Sequence, residues 1–417
     1  MTAFLLALLA GLGFESSVSL GGDYTIQNYK TGGYDTINYE WREQDTLDRE
    51  TEGRGALMVG MDLDQAGVRL DLTNTAAFST RSVRDQATIA LEENPLTWLG
   101  LGLDGDFEFR KYHSLFPRLA DTGYSEDYLT GSGRAEVELR PLAGTEITLA
   151  NRLETQRYAE PDSYSYNYVL NRASAGIDQE LGALASFDAT YAWTRRWVAE
   201  VADRNYQGLE LDAGLSSYLE SGWQFGLRNT LGRRRYPTPE HSYWEEGLSA
   251  NVGRDFTGVA LELANDAAWT WYDSTTAVST DLFENSTRLE FSVQVLGDLT
   301  VRAGPRVDFG RNPQGPSADD YRELSFAAGI DYFKLDKVWL TIDDRIGRRA
   351  YPNADSAFQS SYTFNEWSLL GNWTVLTSPA GELRLEASAS VTPEWHTDSF
   401  DDFMMRSYSL ELKYYLK

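Results

Sequence analysis

The sequence predicts an all-β fold: a transmembrane, antiparallel, up-and-down β-barrel of about 20 strands (roughly 18 to 22). Three observations carry that reading. Polar and apolar residues alternate in one stretch after another from Val18 to Leu416. The connections between stretches are by turns very short and long. No helical block, Pro/Ser-rich linker or shift in composition divides the 417 residues.

One hairpin shows the pattern. Leu209, Leu211, Ala213 and Leu215 alternate with Glu210, Asp212, Gly214 and Ser216, and a turn follows at Ser221-Gly222. Trp223, Phe225, Leu227 and Leu231 then alternate with Gln224, Gly226, Arg228 and Thr230. Period two places one set on one face and the other set opposite. Short turns at one end and long loops at the other are the signature of a membrane barrel.

The other elements follow in order. Strand one falls near Val18 to Tyr29, before a partly alternating loop (Tyr34, Ile37, Tyr39, Trp41) that reaches Gly53. Leu57 to Leu63 turn at Asp64-Gln65-Ala66-Gly67 into Val68, Leu70 and Leu72. Ala87, Ile89 and Leu91 turn at Asn94-Pro95 into Leu99 to Phe109. Ala135, Val137 and Leu139 turn at Leu142-Ala143-Gly144, and Ala173 to Ile177 turn across Gly182. Leu248 to Val252 turn at Thr257-Gly258, and Leu289 to Val295 at Gly297-Asp298. Leu324 to Ile330 turn at Asp336-Lys337, Trp367 to Val375 at Pro379-Ala380-Gly381, and Tyr408 to Leu416 close the series. Gly and Asn/Asp at the short turns supply the positive φ that tight hairpins require.

Bulk properties narrow the class. The net charge of -26 argues against nucleic acid as a partner. Zero cysteines remove disulfides, thiolate metal sites and thiol nucleophiles. A mean hydropathy of -0.43 excludes a helical membrane protein but not a barrel, half of whose strand residues face water. Residues 1–14 are Ala/Leu/Gly-rich and too short to span a bilayer as a helix, for which about 20 apolar residues are needed. They read as a signal-peptide-like segment without the usual Lys or Arg, ahead of a single barrel domain over 15–417.

The aromatic residues divide into two bands. Trp98, Trp223, Trp373 and Tyr332 lie near short turns, and Tyr112, Tyr158, Trp197, Tyr236, Trp271 and Tyr351 near long loops. Both bands are expected to be interfacial girdles at headgroup level.

This pattern resembles the outer-membrane β-barrels of Gram-negative bacteria, porins above all, over nearly the whole chain. The resemblance implies an integral outer-membrane location, with membrane lipid around the wall. Tyr408-x-Leu410-x-Leu412-x-Tyr414 looks like the C-terminal signal read by the barrel-assembly machinery, although the chain finishes on Tyr415-Leu416-Lys417 rather than Phe or Trp.

Candidate pore-lining residues are the charged ones between the apolar positions. The acids are Asp104, Asp106, Glu136, Asp212, Glu262, Asp266, Glu290 and Asp331; the bases are Arg228, Arg288, Arg302, Arg306 and Arg345. Charges of both signs on neighbouring strands hold register and set a field at a constriction. A recurring Arg-aromatic phrase marks an extracellular rim: Arg157-Tyr158, Arg235-Tyr236 and Arg349 with Tyr351. It reads either as interfacial tyrosines with a strand-ending proline or as a surface that captures anions or sugars.

Catalysis has little support. His113, His241 and His396 are the only histidines and fall in expected loops, and no nucleophile-base pair, nucleotide motif or zinc spacing appears. Asp319-Asp320 and Asp401-Asp402 read as solvated loop acids before Ca2+ ligands. The chain is therefore read as a non-enzyme without cofactor or metal. Its expected function is passive or gated passage of small hydrophilic solutes. The alternatives are an export barrel for a polysaccharide or other polymer with a periplasmic partner, and a structural or adhesive barrel with a filled lumen. The excess of acids predicts mild cation preference that fades with salt.

Overall fold

The computed structural model describes residues 12–35, 40–65, 68–79, 82–112, 127–159, 161, 166–276, 280–335, 337–353, 360–397 and 401–416. The first strands in order are β1 (Leu12–Asp35), β2 (Glu40–Gln65), β3 (Val68–Ser79), β4 (Ser82–Leu96) and β5 (Leu99–Tyr112). Next come β6 (Tyr128–Leu142), β7 (Thr145–Tyr158), β8 (Tyr168–Glu180), β9 (Ala185–Val198) and β10 (Tyr206–Tyr218). β11 (Trp223–Arg235), β12 (Tyr243–Phe256), β13 (Val259–Tyr272), β14 (Leu282–Leu296) and β15 (Leu299–Arg311) follow. β16 (Tyr321–Lys334), β17 (Val338–Ala350), β18 (Tyr362–Ser378), β19 (Gly381–His396) and β20 (Phe403–Leu416) complete the 20-stranded sheet.

Each strand pairs antiparallel with its sequence neighbours, and β1 pairs with β20 from Ser16↔Leu416 to Tyr29↔Phe403. That last ladder closes the barrel and leaves no sheet edge around its wall, as hydrocarbon requires because it offers no water to unpaired backbone groups. The only other described elements are short 3-10 turns in loops, Ala202–Arg204 and Pro239–His241.

The turns at Ser221-Gly222 and Thr257-Gly258 sit where the composition puts them, with Gly222 and Gly258 at φ of 82° and 78°, whereas Ala66 and Gly67 of one expected turn and Asp336 of another lie outside the described residues. Three local features differ from the sequence reading. The expected turn at Asn94-Pro95 is strand: β4 continues to Leu96, with a register shift between Glu93 and Leu96 that accommodates a residue lacking an N–H. The expected loop after Tyr29 is an extended hairpin, paired from Tyr29↔Thr46 to Asp35↔Glu40. The β14–β15 ladder lapses opposite Gly304-Pro305, between Arg288↔Arg306 and Phe291↔Ala303, where Pro305 has no hydrogen to donate. β1 begins at Leu12, inside the apolar N-terminal segment; residues 1–11 lie outside the described residues.

A buried hydrophobic interior is nearly absent. Leu211, Leu227, Leu263, Phe291, Leu412 and many others stand exposed on one face. Such a surface is a liability in water and a fit for lipid.

Candidate functional site

Curvature identifies the lumen. Strands two apart in a sheet have backbones about 10 Å apart, so within the wall, away from the loop ends, their side chains meet on a concave face. Arg302 on β15 reaches across β16 to Asp343 on β17 at 2.6 Å, and also holds Asp331 at 2.9 Å. The crossing passes over Gly329, where an added Cβ would lie 2.7 Å from the Asp343 carboxylate. Arg228 on β11 reaches Asp188 on β9 at 3.4 Å over Gly214, and clasps Asp212 on β10. Arg172 on β8 grips Glu210 on β10 through two hydrogen bonds of 3.1 Å, over the buried Ala192.

By register with these residues, Asp104, Asp106, Glu136, Asp212, Glu262, Asp266, Glu290 and Asp331 all lie on the concave face. So do Arg228, Arg288, Arg302, Arg306 and Arg345. Their partnering is unequal. Arg288 pairs with Glu262 at 3.5 Å, Arg306 with Asp308 at 2.9 Å, and Arg345 with Glu366 at 3.0 Å. Arg152 joins Asp106 at 3.6 Å, and Arg134 pairs with Glu136. Among the described residues, Asp104, Asp266 and Glu290 make no ion pair. Every arginine of the candidate set is neutralised locally, whereas some of its acids are not.

The end of the wall with the long loops carries a second, chemically different ring. Tyr128, Tyr158, Tyr168, Tyr206, Tyr243, Tyr272, Tyr321 and Tyr362 occupy the last or first concave position of their strands. Tyr236 and Tyr351, just past β11 and β17, lean on this set. Ring centroids are 6.0 Å apart for Tyr128–Tyr158, 5.5 Å for Tyr243–Tyr272 and 5.5 Å for Tyr206–Tyr236. Arginines fill the spaces between rings: Arg196 over Tyr206 at 4.5 Å, Arg234 over Tyr206 and Tyr243 at 5.4 and 5.8 Å, and Arg349 over Tyr321 at 4.5 Å. Arg349 also pairs with Glu323, a carboxylate only 1% exposed. The hydroxyls of Tyr128 and Tyr168 donate to Glu108 and Glu154, each at 2.7 Å.

This ring corrects the girdle expected from sequence. Trp197 and Trp271 face outward, but Tyr158, Tyr236 and Tyr351 line the mouth. The rim residues split the same way, with Arg349 on the concave face and Arg157 and Arg235 on the convex one. Parity carried the signal: Tyr158 is two residues from Gln156 and four from Glu154, so it shares their face.

The convex face also departs from expectation, because it is not uniformly apolar. Asn74 donates to Asp85 at 3.0 Å, Asn151 to Asn171 at 2.8 Å and Asn229 to Glu246 at 3.2 Å. Asn265 donates to Thr287 at 2.7 Å and to Asn285 at 3.2 Å. Each pair joins adjacent strands, which supplies within the wall the hydrogen bonds that lipid cannot.

No family model matches the chain, and no curated protein matches it. Solved structures do match its fold. OccK2 (OpdF) of Pseudomonas aeruginosa is similar with a TM-score of 0.52 and 10% identity, over 97% of this chain and 99% of that one. OpdK of the same organism, solved with vanillate, gives 0.51 and 13% over 97% and 98%. BauA, the ferric preacinetobactin receptor of Acinetobacter baumannii, gives 0.57 and 9% over 97% and 80%. At such identities the likeness is one of fold: a porin-like barrel of the Gram-negative outer-membrane type.

Proposed function

We propose that this chain is an integral outer-membrane channel for small hydrophilic solutes, with a mild preference for cations. The observation that carries the reading is the concave wall. It is closed, charged and hydrated in character, and its arginines are held by carboxylates while Asp104, Asp266 and Glu290 stand without a basic partner among the described residues. A pore lined in this way has a negative potential that concentrates cations at low salt and is screened as the Debye length falls to about 3 Å at 1 M. The wall acts by charge and width, with no catalytic group, metal or cofactor assigned to it.

In this reading the barrel from β1 onward forms the channel, and the apolar residues ahead of β1, the larger part of the expected 1–14 segment, act as its export signal. The barrel-assembly machinery inserts the chain through its last strand, and outer-membrane lipid covers the convex face. Single-channel recording in planar bilayers tests the proposal. Stepwise conductance with a reversal potential on the cation side at low salt is expected. Silence of the purified chain would sink the channel reading in favour of export with a partner or a filled barrel. An anion-side reversal potential would reject the cation preference alone.

A further inference from the structure

We infer that the loop end of the convex wall binds the phosphate groups of membrane lipid. The inference needs the barrel in its membrane and does not depend on whether the lumen conducts. A belt of arginines carries it. Arg157, Arg235, Arg311, Arg322, Arg348 and Arg406 are all exposed on the convex face. Each falls within the four residues of its strand nearest a long loop, the level at which a barrel wall meets lipid headgroups. Among the described residues none of these makes an ion pair, whereas every arginine of the candidate lumen set makes one. The turn end of the same face is different. Among the described strands its bases are Lys334 and Arg254, and Arg254 is covered by the rings of Trp223 and Phe256 at 5.0 and 4.8 Å.

The belt is densest over three successive strands, β15 to β17. Arg311 lies across from Phe283, Arg322 from Phe309 and Ala350, and Arg348 from Leu324 and Thr363. Register thus gives the three guanidinium groups uncharged neighbours on both sides. A cleft of about 520 Å³ opens at Arg311 and Arg322, walled also by Phe309, Pro316 and Pro352. That volume lies within the range of small-ligand sites. The acid that lines the cleft, Asp320, is 6% exposed and already engaged. It accepts from the Asn312 amide at 2.8 Å and from the Asn353 side chain at 3.0 Å.

Chemistry and place together select the occupant. A guanidinium holds phosphate through paired N–H donors, and each base beside an anionic membrane surface adds to the attraction. The net charge of -26 disfavours capture of an anion from solution. A lipid comes along the membrane instead, held by its chains. Leu324, Phe326 and Ile346 stand exposed on the same face just below the belt. A phosphorylated lipid sets its headgroup on the arginines and its chains on these residues. An acidic protein would have to displace lipid from them first.

The test titrates lipid onto the full chain in micelles and reads binding by native mass spectrometry. The probes are lipid A with both phosphates, the same lipid dephosphorylated, and phosphatidylcholine; inorganic phosphate and polyglutamate serve as competitors. The diphosphorylated lipid is expected to bind about tenfold or more tightly than the other two. Arg311→Gln/Arg322→Gln/Arg348→Gln should lose about tenfold or more of that affinity, and Arg322→Gln alone about fivefold. Arg322→Lys, which keeps the charge, should bind more tightly than Arg322→Gln. Lys334→Gln, at the turn end, should match wild type. Should the triple variant not fold, the single variants decide. Equal binding of the phosphorylated and dephosphorylated lipids overturns the site, as does a loss in Lys334→Gln equal to that in Arg322→Gln. Displacement of bound lipid by millimolar phosphate would make this a free-anion site, and preference for polyglutamate would make it a protein-docking surface; either overturns the lipid assignment.

Discussion

The two faces of the wall use polar residues in opposite ways. On the concave face side chains converge, so a single arginine reaches carboxylates two strands away, as Arg302 does with Asp343 and Arg228 with Asp188. Within the convex wall side chains diverge, and Asn151–Asn171 and Asn229–Glu246 bond only across one ladder; the longer reach of Arg233 on β11 to Asp273 is made at the loop end, past β13. Curvature thus sets the reach of each interaction, and solvent sets its value. In the channel reading the concave groups exchange water for partners at small net gain. The convex groups have only each other.

Charge insertion breaks the comparison most severely. Leu211→Arg places a cation on the convex face and should cost about 2–4 kcal/mol. Ser216→Arg, five residues along and facing the lumen, should change stability little. Urea unfolding from lipid bilayers measures both. Equal penalties would mean that both faces are packed or both are wet, and the membrane assignment of the faces would fail.

The convex pairs give a smaller effect with a diagnostic sign. Asn151→Leu leaves Asn171 without its donor in lipid and should destabilise by about 1–3 kcal/mol. Adding Asn171→Leu should recover most of that loss, because an apolar pair needs no partner. A double variant as unstable as the sum of two singles would show that the asparagines are tied to something beyond each other.

Removing a concave partner should show in selectivity more than in stability. Arg302→Ala frees Asp331 and Asp343, which are over a third exposed, so the stability loss should be only about 1 kcal/mol or less. The low-salt reversal potential should move further to the cation side, while Asp104→Asn with Asp266→Asn moves it back. No movement in either variant would place the narrowest part of the pore elsewhere.

The smallest effect belongs to the loop end of the convex face. Arg233 stacks on Trp244 at 5.0 Å and holds Asp273, in the connection after β13, with hydrogen bonds of 2.6 and 2.5 Å. Those bonds hold the Asp273 carboxyl below its ordinary pKa. A depressed pKa in the folded state stabilises above the unfolded value and is lost as pH falls through the folded one. Proteolysis of the connection after Asp273 should therefore accelerate on acidification in wild type. In Asp273→Asn the rate should be raised already at neutral pH and nearly flat with pH. Matching pH profiles would show that the clasp does not hold the loop.

Period-two alternation in the sequence by itself determined the fold class, a strand count of about 20 within a range of roughly 18 to 22, and which residues share a face. The reason is that a strand can place neighbouring side chains only on opposite sides. It even held the ring of tyrosines at the loop end, because Tyr158 keeps the parity of Glu154, although its position at a strand end gave it the look of a lipid girdle. Tertiary structure decided what parity cannot express. Closure of β1 on β20 made one face concave, and concavity chose which carboxylate each arginine holds. Gly214 and Gly329 have sequence neighbours like those of many other glycines; only the crossing of an ion pair over each explains why a side chain is missing there. Partners such as Arg302 and Asp343, 41 residues apart, meet through the bending of the whole sheet, and no local pattern records that bend.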